Sequence, residues 1–224
     1  LFGISPKDTL AIAQNLYTSG IISYPRTSSQ KLPAKLNFKK ILKALAEIHD
    51  YKDKAATVLS YEKLMPHEGT KTDPAHPAIY PTGVKPGKLM DREFKVYDLI
   101  VKRFFATFGK PALRESVSLK IMVGGELFLA NGIRTKERGW FDLYEPYVKL
   151  KEEEWPEFKE KEILKITKLE LLEKETQAPK RYTPASIITE LERQGLGTKA
   201  TRAEIVDSLY HRGYVQDETL KVTD

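Results

Sequence analysis

The 224-residue chain contains no cysteine, which excludes disulfides and thiolate metal ligands. No apolar run approaches the ~20 residues that a membrane-spanning helix needs, and the start lacks the charged and apolar regions of a signal peptide. No acidic cluster has Asp-x-Asp spacing, no histidine begins a His-x-x-Arg element, and no internal repeat or low-complexity tract occurs. The expectation is a globular protein of the cytoplasm with no membrane partner. The chain also opens on Leu1 rather than Met, so a piece of a longer protein is expected.

What is present is an ordinary hydrophobic content of 41%, enough to bury a core over one or two domains. The net charge of +6 is unevenly spread. Residues 1–110 carry 18 Lys/Arg against 10 Asp/Glu, or +8, and the remainder carries 19 against 21, or −2. A basic half joined to a slightly acidic half points to a polyanion as partner of the first half, because Lys and Arg that neutralise phosphates release counterions. A solvated basic face is the other reading of the same count.

Ser5-Pro6-Lys7-Asp8 has the signature of a helix start, with Ser as N-cap and Pro at the first helical position, and Leu10, Ala13 and Tyr17 follow at helical spacing up to Gly20. Phe38, Ile41, Leu42, Leu45 and Ile48 form a second apolar stripe, and a short helix is expected over Ala55–Leu64. Five prolines and three glycines between Pro66 and Lys88 forbid regular structure there. The stiff, apolar composition of Asp73–Thr82 indicates a functional loop rather than disorder. Asp91 is placed to cap the next helix, which carries Phe94, Tyr97, Phe104 and Phe108 on one stripe.

From Arg114 the period changes to two. Val117, Leu119 and Ile121, then Gly124-Gly125, then Leu127 and Leu129 predict a hairpin. Trp140–Tyr144 and Ile163–Leu172 read as further strands, joined by an acidic connection over 151–162. Thr183-Pro184 opens a helix ending at Gly195, and Thr201 with Glu204 has the spacing of a capping box for a helix ending at Gly213. The two helices with Tyr214-Val215 and Lys221-Val222 resemble a winged-helix unit. Their connection, Gly195 to Thr201, offers backbone amides, hydroxyls and Lys199 before a helix N-terminus, a natural phosphate site. An ordinary helix–helix turn is the plainer alternative.

The stretch Ile22–Ser29 carries the chemistry. In an extended segment residues i and i+2 share a side, so Tyr24 and Arg26 are expected on one face, with Pro25 keeping the backbone at an edge. A phenol of pKa near 10 needs a cation or a base to become a nucleophile. Arg26 supplies the cation, and its fork can bind a phosphodiester and offset charge developing in the transition state. By itself Tyr-Pro-Arg-Thr is short, and a half-buried strand tyrosine packing in a core is the first reading of it.

Three motifs in order carry a resemblance. Ile22-Ser23-Tyr24-Pro25-Arg26-Thr27-Ser28-Ser29, then Ala75-His76-Pro77-Ala78-Ile79-Tyr80-Pro81-Thr82, then Thr183-Pro184-Ala185-Ser186 through Gly195–Thr201 and Arg212-Gly213-Tyr214-Val215, resemble type IA DNA topoisomerases, archaeal topoisomerases I and III above all. The resemblance spans nearly the whole chain. It implies Tyr24 as the catalytic tyrosine, with Arg26 and His76 beside it, and a strand-binding role for Thr27, Ser28, Gly197, Thr198, Lys199 and Thr201. The bacterial pattern has Asp where this chain has Ser28, so an acid function at that position does not carry over.

The implied fold is α+β, a multi-domain arch of a torus. Residues 1–110 are expected to form an α-helical domain with the tyrosine, 111–178 a β-rich hinge, and 179–224 part of a winged-helix-like domain that binds single-stranded DNA. The implied reaction is transient cleavage of one DNA strand through a 5′-phosphotyrosyl link, strand passage and religation without ATP. The family's Mg²⁺ ligands lie in a TOPRIM domain, so no metal site is expected in this chain, and the TOPRIM-containing remainder is an expected partner. A nucleoid-associated location follows from the same resemblance. Tyrosine recombinases and type IB topoisomerases are a rival class that the missing His-x-x-Arg element and the position of Tyr24 near the start count against. A non-catalytic DNA-binding module with Tyr24 in a structural role is the alternative.

Overall fold

The computed structural model describes residues 2–33, 35–150, 152 and 155–223. Four helices form the first half: α1 (Pro6–Thr18), α2 (Phe38–Ala46), α3 (Lys52–Leu59, entered through a 3-10 turn at His49–Tyr51) and α4 (Asp91–Thr107). A hairpin of β1 (Leu113–Val123) and β2 (Glu126–Glu137) follows, then α5 (Trp140–Tyr144). After a long stretch without regular structure come α6 (Pro184–Arg193), α7 (Arg202–His211) and the two-residue strands β3 (Val215–Gln216) and β4 (Lys221–Val222). The architecture is mixed helix and antiparallel sheet.

The core lies among α1 to α4. Leu16, Ile22, Leu42, Leu45, Val58, Tyr97, Val101 and Phe105 are essentially inaccessible, and Leu143 of α5 closes the cluster. Local chemistry sets the helix ends. The Ser5 hydroxyl accepts from the Asp8 amide at 3.0 Å, and Gly20, at φ +75°, closes α1. There the Gly20 amide bonds the Tyr17 carbonyl (2.8 Å) and the Ile21 amide the Leu16 carbonyl (3.1 Å), the pairing of a left-handed helix terminus. This terminus turns the chain directly into the Tyr24 stretch.

Several local expectations need correction. Trp140–Tyr144 is a helical turn rather than a strand, because Phe141 and Leu143 both find cover, packing the turn on α4, and Arg138 bridges Asp142 and Glu145 across it. Residues 163–172 form no strand; Ile163 and Leu171 are fully exposed, and no neighbouring strand among the described residues offers them a ladder. The third helix begins three residues before Ala55 and ends at Leu59. Met90, not Asp91, occupies the N-cap of α4, and Glu93 accepts from its amide at 3.1 Å.

In the expected capping box of α7, the Thr201 hydroxyl instead accepts from Thr198 (2.9 Å) and Glu204 reaches Lys7 (3.3 Å). Leu127 and Leu129 of the hairpin are exposed on both counts. The Gly124-Gly125 turn forms as expected, with both residues at positive φ and Val123 paired to Glu126. Of the connection expected over 151–162, Lys151, Glu153 and Glu154 lie outside the described residues, and the rest has no helix or strand.

Candidate functional site

Residues 20–23 form one rim of the site by pairing antiparallel with the proline-rich loop. Ile22 bridges Pro81, the Thr82 amide donates to the Ile21 carbonyl (3.0 Å), and Ser23 exchanges bonds with Tyr80 (2.9 Å each). Burial of Ile21 and Ile22 at 3% and 1% fixes the register, so the loop is held by core packing and backbone bonds together. At Pro25 the strand-like path bends, with the Thr27 amide on the Pro25 carbonyl at 3.1 Å. The two-residue repeat of an extended strand therefore does not govern Arg26.

The loop carries His76 to Tyr24. Their ring centroids lie 4.4 Å apart, and Tyr17 of α1 meets Tyr24 edge-on at 5.2 Å. Tyr24, Arg26 and His76 are all half-buried. The Nε of Arg26 is buried and makes no hydrogen bond among the described residues. Arg26 stands two residues from Tyr24, and its guanidinium is a permanent cation whose fork suits an anionic oxygen.

Thr27 and Ser28 use their hydroxyls within the protein. Thr27 Oγ1 donates to the His76 carbonyl (3.1 Å) and accepts from the Ser29 amide (3.0 Å). Ser28 donates through its amide (3.3 Å) and its hydroxyl (3.2 Å) to Oδ2 of Asp73. The other oxygen, Oδ1, accepts from the amides of Ala75 (3.0 Å) and His76 (3.2 Å). Asp73 is also paired with Lys199.

Lys199 first, and then the Ala75 amide, hold the Asp73 carboxyl well below the usual carboxylate range. Asp73 is the residue that sequence reasoning missed. An Asp before Pro marks a turn start, but nothing in the sequence shows that it reaches Ser28 and Lys199.

Lys199 is thereby brought to the tyrosine site with the rest of the Gly197–Thr201 loop. Gly197, Thr198 and Thr201 are exposed, the Thr198 and Thr201 hydroxyls lie 3.1 Å apart, and Arg202 ties the loop through the carbonyls of Leu196 (3.0 Å) and Gly197 (3.2 Å). Further ion pairs join the α6–α7 unit to the first half: Lys7 with Asp207 (2.8 Å) and Glu204 (3.3 Å), and Lys71 with Glu192 (2.9 Å). No group of three or more acidic or histidine side chains among the described residues fits a metal ion. No described helix is long and apolar enough to cross a membrane.

The family profile described as DNA topoisomerase matches residues 1–224. The chain is 49% identical to DNA topoisomerase 1 of Pyrococcus horikoshii, covering 99% of this chain and 33% of that protein. It is 46% identical to DNA topoisomerase 1 of Methanothermobacter thermautotrophicus (100% and 31%) and 34% identical to DNA topoisomerase 3 of Caenorhabditis elegans (95% and 28%). The fold superposes on full-length topoisomerase I from Thermotoga maritima with a TM-score of 0.66 at 24% identity, covering 99% of this chain and 37% of that one. The chain thus spans about a third of the length of these relatives. With its whole length matched by the profile, the chain belongs to the DNA topoisomerase family, in the type IA branch.

Proposed function

We propose that this chain supplies the strand-cleaving half of a type IA topoisomerase, and that Tyr24 is its nucleophile. The observation that carries the reading is the contact of His76 with the Tyr24 ring, made across 52 residues of sequence and locked by the Thr27 bond to the His76 carbonyl. The Tyr24 phenol oxygen attacks the phosphorus of one DNA strand and the bond from phosphorus to the leaving 3′ oxygen breaks, giving a 5′-phosphotyrosyl link and a free 3′ hydroxyl. Religation is the reverse displacement. The link conserves the energy of the phosphodiester, so no ATP is consumed.

Arg26 binds the scissile phosphate through its free Nε side and offsets its charge. His76 orients the DNA oxygens or passes them a proton. Lys199, with Thr198, Thr201 and the Gly197 backbone, holds the strand backbone ahead of α7, while Thr27 and Ser28 shape the pocket. The basic residues of 1–110 meet single-stranded DNA.

In this reading residues 1–110 are the tyrosine domain, 111–178 the hinge, and 179–224 part of a winged-helix-like domain. The Mg²⁺ that the family implies does not fit the described residues. Asp73, the carboxylate at the site, is already taken by Lys199, Ser28 and two amides. Its ligands are assigned to a TOPRIM segment elsewhere in the parent protein, and no step here runs through it.

The test uses the intact enzyme with labelled single-stranded DNA. Covalent protein–DNA adducts are expected with the parent and absent with Tyr24→Phe, while His76→Ala slows adduct formation far more than it weakens binding. Undiminished adduct with Tyr24→Phe supports a non-catalytic DNA-binding module in which Tyr24 only packs against Tyr17 and His76.

A further inference from the structure

We propose that Asp73 is a positioning residue that holds Lys199 at the rim of the tyrosine site and yields it to a DNA phosphate, so that strand entry and docking of the α6–α7 unit compete for one ammonium group. This rests on the reading above, in which the site binds a strand.

The carboxylate of Asp73 is the fixed member of the pair. Its side chain is only 2% exposed and accepts from Ala75, His76 and both groups of Ser28. Lys199 is the movable member: it stands in an exposed loop, its side chain is 39% exposed, and an ammonium on a four-carbon stem keeps its charge through many orientations. When it leaves, Asp73 still caps the His76 loop and still tethers Ser28, two residues beyond Arg26. The active loop therefore keeps its shape while the lysine changes partner.

The rest of the interface is suited to such an exchange. Among the described residues α6 buries none fully and α7 buries only Val206, so polar bonds dominate the docking, with Lys7 on Asp207 and Glu204 and Lys71 on Glu192. Solvent-accessible ion pairs of this kind are individually weak and screened by salt. A phosphate offers Lys199 the same charge as Asp73 and adds the release of DNA counterions. Lys199 first, and then the local amides, hold the Asp73 carboxyl below its usual range, so at neutral pH the pair is ionised and DNA phosphate competes with a carboxylate.

The experiment is a double-mutant cycle in the intact enzyme, reading the dissociation constant of a fluorescent single-stranded oligonucleotide. Asp73→Asn keeps an acceptor for the Ala75 and His76 amides and removes the charge that holds Lys199. It is expected to tighten binding about fivefold. Lys199→Gln is expected to weaken binding by a similar factor, and in that background Asp73→Asn should change affinity less than twofold.

If Asn disturbs the loop, Asp73→Ser repeats the measurement, since a hydroxyl caps the same amides. Unchanged or weaker binding by the aspartate variants, or equal tightening with and without Lys199, overturns the proposal. Tyr24-dependent adduct formation, measured on the same proteins, keeps the two ideas separate. A failed cycle with the adduct intact removes only the role of Asp73, and an adduct that survives Tyr24→Phe removes the catalytic reading.

Discussion

Thr27→Val is a sharp probe of how the site is held. Valine keeps the shape of threonine but removes the donor to the His76 carbonyl (3.1 Å) and the acceptor for the Ser29 amide (3.0 Å). Each bond contributes about 1 kcal/mol net, and because both partners are only half-buried, water recovers part of the loss. The two together bound the effect at about 2 kcal/mol, roughly 30-fold in the docked population of the loop. The Ile22–Pro81 bridge, the Ala78 amide on the Lys31 carbonyl (2.8 Å) and the Asp73 turn remain in place. They retain part of the docking, so about tenfold slower cleavage is the expected outcome, equivalent to about 1.4 kcal/mol. The assay is single-turnover adduct formation on labelled single-stranded DNA, with affinity measured in parallel. Cleavage within twofold of the parent, or an affinity loss equal to the cleavage loss, would refute the claim that this hydroxyl places His76 against Tyr24.

Leu45→Ala, at a fully buried position of α2, should lower unfolding free energy by about 3 kcal/mol in a urea titration, because the surrounding helices close such a cavity only in part. Tyr97 carries a buried hydroxyl without a partner among the described residues, and burial pushes its pKa up to about 12. The native state therefore holds this proton more tightly than the unfolded chain. The associated stability is intact below pH 10 and is lost as pH rises through about 12, by about 2–3 kcal/mol at most. Tyr97→Phe should leave neutral stability unchanged or raised and flatten the decline between pH 10 and 12 in thermal melts. An equally steep decline in the variant would assign the alkaline loss to other groups.

Sequence by itself determined whatever depends on neighbours within one turn or one hairpin. The Ser5 cap, the Gly124-Gly125 turn and the Thr183 cap of α6 form where spacing places them, because each is satisfied by bonds three or four residues away or across a tight turn; of the stripes, Ile41, Leu42 and Leu45 of α2 and Tyr97 and Phe104 of α4 are buried, while Phe94 is exposed and Ile48 lies past the end of α2. The Tyr24 and His76 motifs were legible for the same reason, since each is a contiguous string. Tertiary structure decided the remainder. The aromatic run at Trp140–Tyr144 became helical because α4 covers it, and 163–172 stayed unpaired because no strand among the described residues lies beside it. Glu204 left its own helix for Lys7, and Asp73 joined Ser28, His76 and Lys199 over separations of 45, 3 and 126 residues. Periodicity and capping rules reach a few residues along the chain. A carboxylate's choice among distant cations and amides is made only when packing brings them within bonding distance.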